Sequence, residues 1–128
     1  MSTWWTKGLA PAIAREVGER SRAFYELLIP AVDIYEIGSS LVVEADLAGF
    51  QKEDITVRAS GHTLLISAKR EPPSDVDSVH LQQRPLKIRR VVRLPLEVDE
   101  EVEPTAKYEN GVLTVKMPSK GAKRVKIE

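Results

Sequence analysis

Cysteine is absent from the sequence, so neither disulfide bonds nor thiolate metal ligands can contribute to its stability or chemistry. No apolar run approaches the roughly 20 residues that a membrane-spanning helix requires, and we therefore expect no membrane span. The opening residues, Met-Ser-Thr-Trp-Trp, lack the basic start and apolar stretch of a secretory signal peptide. These absences predict a cytoplasmic protein.

An excess charge of either sign is also missing, because 19 Lys and Arg balance 19 Asp and Glu to a formal net charge of +0. Proteins that bind nucleic acids or anionic membranes usually carry an excess of Lys and Arg, so we expect no nucleic-acid partner. A net charge near zero also gives little colloidal protection against self-association.

Groups for catalysis are scarce. His62 and His80 are the only histidines, and each is more typical of a surface or turn position than of a ligand. The Ser60-Gly61-His62 tripeptide lacks the context of a nucleophile elbow, and no glycine-rich phosphate loop is present. We therefore expect no enzymatic activity, no metal and no cofactor.

The 128 residues suffice for one domain, and we divide them into a helical arm (1–29), a β domain (30–118) and a tail (119–128). Spacings near three and four predict an amphipathic helix from about Pro11 to Leu28, which Pro30 ends. Its apolar positions include Leu9, Ile13, Val17, Phe24, Leu27 and Leu28. This helix packs either on its own domain or on other chains.

The β domain is indicated by short alternating segments separated by turn signals, which are typical of a β-sandwich or barrel. The predicted strands are 32–37, 41–47, 54–60, 64–68, 78–82, 86–94 and 112–117. Asn110-Gly111 is the strongest hairpin signal, because a type I′ turn needs positive φ at both central residues. A proline-rich stretch at 71–77 predicts a long loop that is either functional or disordered.

Two features leave alternatives open. Arg90 falls on the same strand face as Ile88 and Val92, where an unpaired charge would be costly to bury. Either the strand twists enough to free it, or it meets a carboxylate, including one on another subunit. In the tail, Val125 and Ile127 point the same way when extended, and they either add to a sheet edge or belong to a frayed end.

Four motifs in order resemble the small heat-shock protein family with its α-crystallin-type domain. Residues 106–113, A-K-Y-E-N-G-V-L, match the family's A-x-x-x-N-G-V-L signature, and 90–95, R-V-V-R-L-P, resemble its arginine-containing strand. Residues 46–50, D-L-A-G-F, resemble the D-L-P-G-F turn, and 125–127, V-K-I, resemble the I-x-I motif. The departures are Ala48 for proline, which should loosen that turn, and Val125 for isoleucine, which should weaken tail docking.

This resemblance, which covers about residues 25–128, implies an all-β fold, an immunoglobulin-like β-sandwich. It also implies a homo-oligomer built from dimers. The implied dimer contact is Val79, Leu81 and Arg90. The tail residues Val125 and Ile127 would dock on another dimer, in a groove for which Ile55, Val57 and Ala59 are our candidate wall.

The implied function is that of an ATP-independent holdase chaperone, which is stored as a large homo-oligomer, releases dimers on heating and binds unfolding proteins. The candidate client-binding residues are Trp4, Trp5, Leu9, Ile13, Val17, Phe24, Leu27 and Leu28. Two alternatives stay open: a p23-like monomeric co-chaperone that binds one specific partner, and a structural scaffold without client binding.

Overall fold

The computed structural model describes residues 20, 22, 23, 29–120 and 126–128, and it is an antiparallel β-sandwich. Its strands are β1 (Val32–Ile37), β2 (Ser40–Asp46), β3 (Ile55–Ser60), β4 (Thr63–Lys69), β5 (Lys87–Arg93), β6 (Thr105–Glu109) and β7 (Val112–Pro118), with one 3-10 turn at Lys52–Asp54. Arg20, Arg22 and Ala23 are helical. The rest of the predicted N-terminal helix lies outside the described residues.

The strands form two sheets that pack face to face. One sheet has the order β1-β2-β7-β6 and the other has the order β3-β4-β5. All neighbouring strands are antiparallel. The predicted sandwich is therefore confirmed, and β1, β6, β3 and β5 are the edge strands of the described part of the chain.

The core consists of the inward-facing residues of both sheets, as their alternation in the sequence predicts. Leu41, Val43 and Ala45 on β2 are all at most 1% exposed, and so is Leu47 after the strand. The other buried apolar residues are Phe50, Leu64, Ile66, Ala68, Ile88, Val92, Leu94, Val98, Leu113, Val115 and Met117. Because each large aliphatic side chain contributes roughly 1.5–3 kcal/mol on burial, this cluster dominates the stability of the sandwich.

The Asn110-Gly111 turn joins β6 to β7 as predicted. Asn110 has a φ of 53° and Gly111 a φ of 76°, so both central residues lie in the left-handed region that a type I′ turn requires. The Gly111 carbonyl accepts a hydrogen bond of 2.7 Å from the Leu47 amide. This bond ties the hairpin turn to the segment that leaves β2.

A second turn, at residues 47–50, packs on the first. The Phe50 amide donates to the Leu47 carbonyl at 3.4 Å, and Gly49 has a φ of 94°, as the third position of a type II turn requires. A Cβ added to Gly111 would lie 3.0 Å from the Cβ of Ala48. Ala48 occupies the second position of this turn, where proline is common. That alanine in place of proline loosens the turn stays a prediction.

The structure corrects one predicted strand. Residues 78–82 form no strand in the described chain, and the excursion from 70 to 86 is irregular throughout. Val79 and Leu81 are exposed there, because this excursion pairs with no edge strand of its own sandwich. In the part that the structure describes, no helix combines the length and hydropathy needed to cross a bilayer.

The contact between the two turns makes Gly111→Ala a sharp test of the fold. Gly38→Ala is the matched control, because Gly38 has a φ of 61° but nothing within 4 Å of an added Cβ. We expect the control to lose about 1–2 kcal/mol for the left-handed backbone, and Gly111→Ala to lose about 1–3 kcal/mol more through the collision with Ala48.

Urea unfolding at one fixed protein concentration measures both variants, because assembly would make stability depend on concentration. Equal losses in the two variants would show that the 47–50 turn gives way freely and does not hold the hairpin turn in place.

Candidate functional site

A shallow apolar groove lies where the edge strands β3 and β6 of the two sheets approach each other. Its volume is about 160 Å³, which is similar to the ~150 Å³ cavity that accommodates benzene in an engineered protein core. The lining residues are Lys52, Ile55, Val57, Ala106, Lys107, Tyr108 and Leu113. A groove of this size can hold a branched aliphatic side chain.

Alternation along β3 places its apolar residues on the groove side. Ile55 and Val57 are half-buried and line the groove, while Leu113 of β7 is buried against the core. Ala59 is half-buried on the same face of β3 but is not among the lining residues. The structure therefore brings two of the three predicted wall residues into one groove.

Tyr108 forms the opposite wall and is held in place at its hydroxyl. Its Oη lies 2.6 Å from the Leu47 carbonyl oxygen and 2.9 Å from that of Phe50, so its single proton is shared between two main-chain acceptors. Since both acceptors belong to the 47–50 turn, this turn positions the wall of the groove. The sequence analysis missed this role, and the signal available was a tyrosine beside the Asn-Gly turn.

Two lysines flank the groove. Lys107 forms an ion pair of 3.2 Å with Glu109, and both side chains are largely exposed, so solvent screens the pair. Lys52 lies in the 3-10 turn that leads into β3. The charged residues that line the groove are thus both lysines, while Glu109 and the acidic residues of the 3-10 turn lie beside them.

Both strands beside the groove are sheet edges. β3 pairs only with β4 and β6 only with β7 in the described chain, so each has one side of its backbone open to another strand. An extended peptide can add to such an edge through main-chain hydrogen bonds, while pockets select every second side chain.

The predicted tail motif does not occupy this groove within one chain. Ile127 is 93% exposed, and Val125 lies outside the described residues. Docking of the tail in a groove therefore stays a prediction about contacts between chains.

The excursion that carries Val79 and Leu81 is closed at its base by Arg70. The Arg70 amide donates to the Leu86 carbonyl at 2.9 Å, and its guanidinium donates to the carbonyls of Pro85 (2.7 Å) and Arg84 (3.1 Å). Val79 is 41% exposed and Leu81 58%, and both line an open cavity of about 440 Å³ within the excursion. The base of the excursion is thus held by hydrogen bonds, while two of its aliphatic residues are exposed to solvent.

Arg90 is half-buried on β5, and its Nη1 donates to the Pro30 carbonyl at 3.1 Å. Because β5 is an edge strand, the side chain reaches around the edge of the core to the segment that enters β1. This main-chain acceptor adds to the two alternatives that the sequence leaves open, a freed side chain or a carboxylate partner, and both of these stay predictions. The contact links the two sheets on the side opposite the groove.

The free edge of β1 lies on this second side of the sandwich. Ile34, Tyr35 and Ile37 of β1 are exposed. The Tyr35 hydroxyl donates to the Asp33 carboxylate at 3.2 Å, and the negative charge of Asp33, with this hydrogen bond, raises the pKa of Tyr35 above its ordinary value. The sequence analysis did not single out these residues, although their exposure with a free backbone edge is typical of a pairing surface.

The candidate client-binding residues lie outside the described residues. They are Trp4, Trp5, Leu9, Ile13, Val17, Phe24, Leu27 and Leu28. Within the part of the chain that is described, no group of three or more His, Cys, Asp or Glu side chains could hold a metal ion. The features that the described residues do present are a groove between the edge strands β3 and β6, the exposed residues on the free edge of β1, and a pinned excursion.

Comparison with known proteins places these features in a family. Residues 33–128 match the Hsp20/alpha crystallin family. Small heat shock protein C2 of Rickettsia felis is 31% identical over 96 residues, which are 73% of this chain and 62% of that protein. The chain thus spans less than two thirds of that relative's length.

Solved structures with the same fold include a mutant of hsp14.1 from Sulfolobus solfatataricus P2. It is 46% identical, with a TM-score of 0.76 over 93% of this chain and 97% of that one. A small heat-shock protein from Xylella fastidiosa, which has a distinct high order structure, is 29% identical, with a TM-score of 0.60 over 78% of this chain and 96% of that one. The chain belongs to the Hsp20/alpha crystallin family, the family of the small heat shock proteins.

Proposed function

We propose that this chain is an ATP-independent holdase chaperone of the cytoplasm, which is stored as a large homo-oligomer and releases dimers on heating. The observation that carries the proposal is the apolar groove between two open strand edges, in a chain whose own V-x-I motif has Ile127 exposed. The chain thus carries both a groove and a tail motif that can fill it, and the two are not in contact within one copy. This arrangement supports assembly between copies.

The tail fits the groove in shape and charge. Val125 and Ile127 are two residues apart, so both can enter the apolar floor when the tail adds as a strand, and Glu128 then lies near the lysines of the rim. Burying the two side chains contributes roughly 1.5–3 kcal/mol each, while fixing the tail costs about 1–2 kcal/mol per residue. One docked tail is therefore weak, and many tails hold an assembly through effective concentration.

The dimer forms on the other side of the sandwich. We place the segment around Val79 and Leu81 on the free edge of β1 of a second copy. This placement is supported by exposed apolar residues on both partners and by an excursion whose base is already pinned by Arg70. Arg90 lies beside this edge through its bond to the Pro30 carbonyl, so it stabilises the acceptor strand from within its own chain.

The apolar face of the N-terminal arm binds clients in this proposal. Packing inside the assembly covers it, and release of dimers on warming exposes it to unfolding proteins. The relatives of this chain include proteins named as heat shock proteins in Rickettsia felis and Streptococcus thermophilus, which supports a role in thermal stress.

Three tail variants test the docking. Val125→Ile adds one methylene, worth about 0.8 kcal/mol per docked tail, so dissociation should shift to about fourfold lower concentration. Ile127→Ala removes about 2 kcal/mol per tail and should reduce the assembly to dimers, as deletion of 125–128 should. Native mass by light scattering is the measurement, and Lys126→Ala, between the two docking residues, is the matched control.

The proposal fails if the full chain is monomeric, in which case a p23-like binding module becomes the better interpretation. An oligomer that keeps its mass in Ile127→Ala and in the deletion variant would leave self-assembly standing but contradict tail docking.

A pair of substitutions in the arm tests client binding. Ile13→Ser with Val17→Ser removes apolar surface from the predicted helix face, while Arg15→Ser with Glu19→Ser changes its polar side as the control. We expect the first pair to need at least about threefold more chaperone to suppress aggregation of a heated model client, because burial of apolar surface drives binding. Light scattering of the client measures this.

Full protection by a chain that lacks residues 1–28 would contradict the role of the arm. If protection were absent in the full chain as well, with the assembly intact, the structural-scaffold alternative would account for the protein.

A further inference from the structure

The outer face of the three-stranded sheet carries positive charge only. Its cations are Arg58 on β3, Lys69 on β4, and Lys87, Arg89 and Arg93 on β5, and all five are exposed. No Asp or Glu occurs anywhere in these three strands. We refer to this surface as the basic face.

The register of β3, β4 and β5 places the cations of the basic face around an apolar centre. Arg58 lies opposite Leu65, which lies opposite Val91, and Val91 is 55% exposed. Arg89 and Arg93 flank Val91 along β5, two residues to either side. Neighbouring strands are about 4.8 Å apart, so Arg58 on β3 lies roughly 10 Å from β5, and one acidic segment laid across the face can interact with several of these cations at once.

The same chain has a matching acidic surface in the connection from β5 to β6. Residues 97–103, which we refer to as the acidic loop, contain five carboxylates and no Lys or Arg. Outside these two surfaces the chain has 14 cationic and 14 anionic residues, since five of 19 cations lie on the basic face and five of 19 anions in the acidic loop. The balanced net charge therefore conceals two patches of equal and opposite charge.

The acidic loop is held in a defined shape. Val98 is buried and its amide donates to the Gly61 carbonyl at 2.8 Å, while the Glu100 carboxylate accepts from the Ser60 hydroxyl and the Gly61 amide, both at 3.0 Å. These bonds leave Glu101 and Glu103 exposed on either side of Val102, which is 44% exposed. Little conformational entropy remains to be lost when a partner binds.

We propose that the acidic loop of one copy docks on the basic face of a second copy. Each surface has an exposed valine at its centre with charges around it, an arrangement typical of the apolar centre and charged rim of protein interfaces. The loop is anchored at the Ser60–Gly61 end of its own sheet, where the Glu100 carboxylate accepts from the Ser60 hydroxyl and the Gly61 amide. The contact is head-to-tail, so it links successive copies.

This inference rests on the proposed self-association and adds a salt-sensitive contact to it. An anionic polymer is a weaker fit to the basic face, since the face has no aromatic residue on which a base could stack.

Charge reversal tests the contact in the full chain. Arg58→Glu with Arg89→Glu reverses the face, Glu101→Lys with Glu103→Lys reverses the loop, and a fourfold variant reverses both. At about 50 mM salt, we expect each double variant to dissociate at about tenfold higher protein concentration, and the fourfold variant to return to within about threefold of wild type. Mass on dilution is the measurement.

The single variant Arg89→Glu should shift dissociation in the same direction as the double face variant. Lys116→Glu, on the outer face of the other sheet, is its matched control, because both change net charge equally, and it should leave dissociation unchanged. High salt, near 1 M, should remove the difference between wild type and the double variants, since screening then acts over about 3 Å. Circular dichroism checks that each variant keeps its strands.

The contact is overturned if the wild type assembles but the face variant dissociates at the same concentration, or if the fourfold variant is not restored. It is also overturned if the face variant assembles like the wild type but no longer binds a single-stranded oligonucleotide that the wild type binds. The basic face would then be a nucleic-acid binding surface. A monomeric wild type would refute the proposed self-association itself, so the two failures are distinguishable.

Discussion

The unpaired backbone groups at the strand edges determine where this sandwich can contact other chains. Two open sheets leave β1, β6, β3 and β5 each with one unpaired side in the described chain, and such edges pair with other chains unless they are covered. The groove beside β3 and β6 and the exposed residues of β1 are consequences of this geometry. A chain that stays soluble with these edges must cover them with segments of defined sequence, and its tail and excursion are suited to that role.

The contact between the 47–50 turn and the Asn110-Gly111 turn connects the fold to the groove. It fixes the carbonyls of Leu47 and Phe50, which hold the Tyr108 hydroxyl and with it one wall of the groove. The motifs that are most recognisable in the sequence are thus structural supports for the binding surface. A substitution in either turn acts on the groove from outside it, because the groove-lining residues stay unchanged while one wall loses its support.

Periodicity predicted most of the sandwich, since alternation at Leu41, Val43 and Ala45 or at Leu64 and Ile66 reports directly which side of a strand is buried. It could not predict the acceptor of Arg90, because a main-chain carbonyl 60 residues away leaves no mark in the sequence. It predicted a strand at 78–82 that a single chain does not form, since β structure needs a neighbouring edge as well as suitable residues. Net charge does not report the basic face for a similar reason, because an average over the chain conceals how strands gather charges on one face.

The release of subunits on warming that we propose needs a physical cause other than weaker apolar contacts. Apolar burial weakens on cooling and does not fade over moderate warming, so the docking of Val125 and Ile127 by itself would favour assembly at higher temperature. The opposing term is the conformational entropy of the tail, whose free-energy cost grows in proportion to temperature for every residue that is fixed. A tail that is fixed along several residues to bury only two apolar side chains has a high cost relative to this gain. In the proposed assembly the tail is therefore the temperature-sensitive contact, while the sandwich core, which buries many more apolar side chains per ordered residue, stays folded.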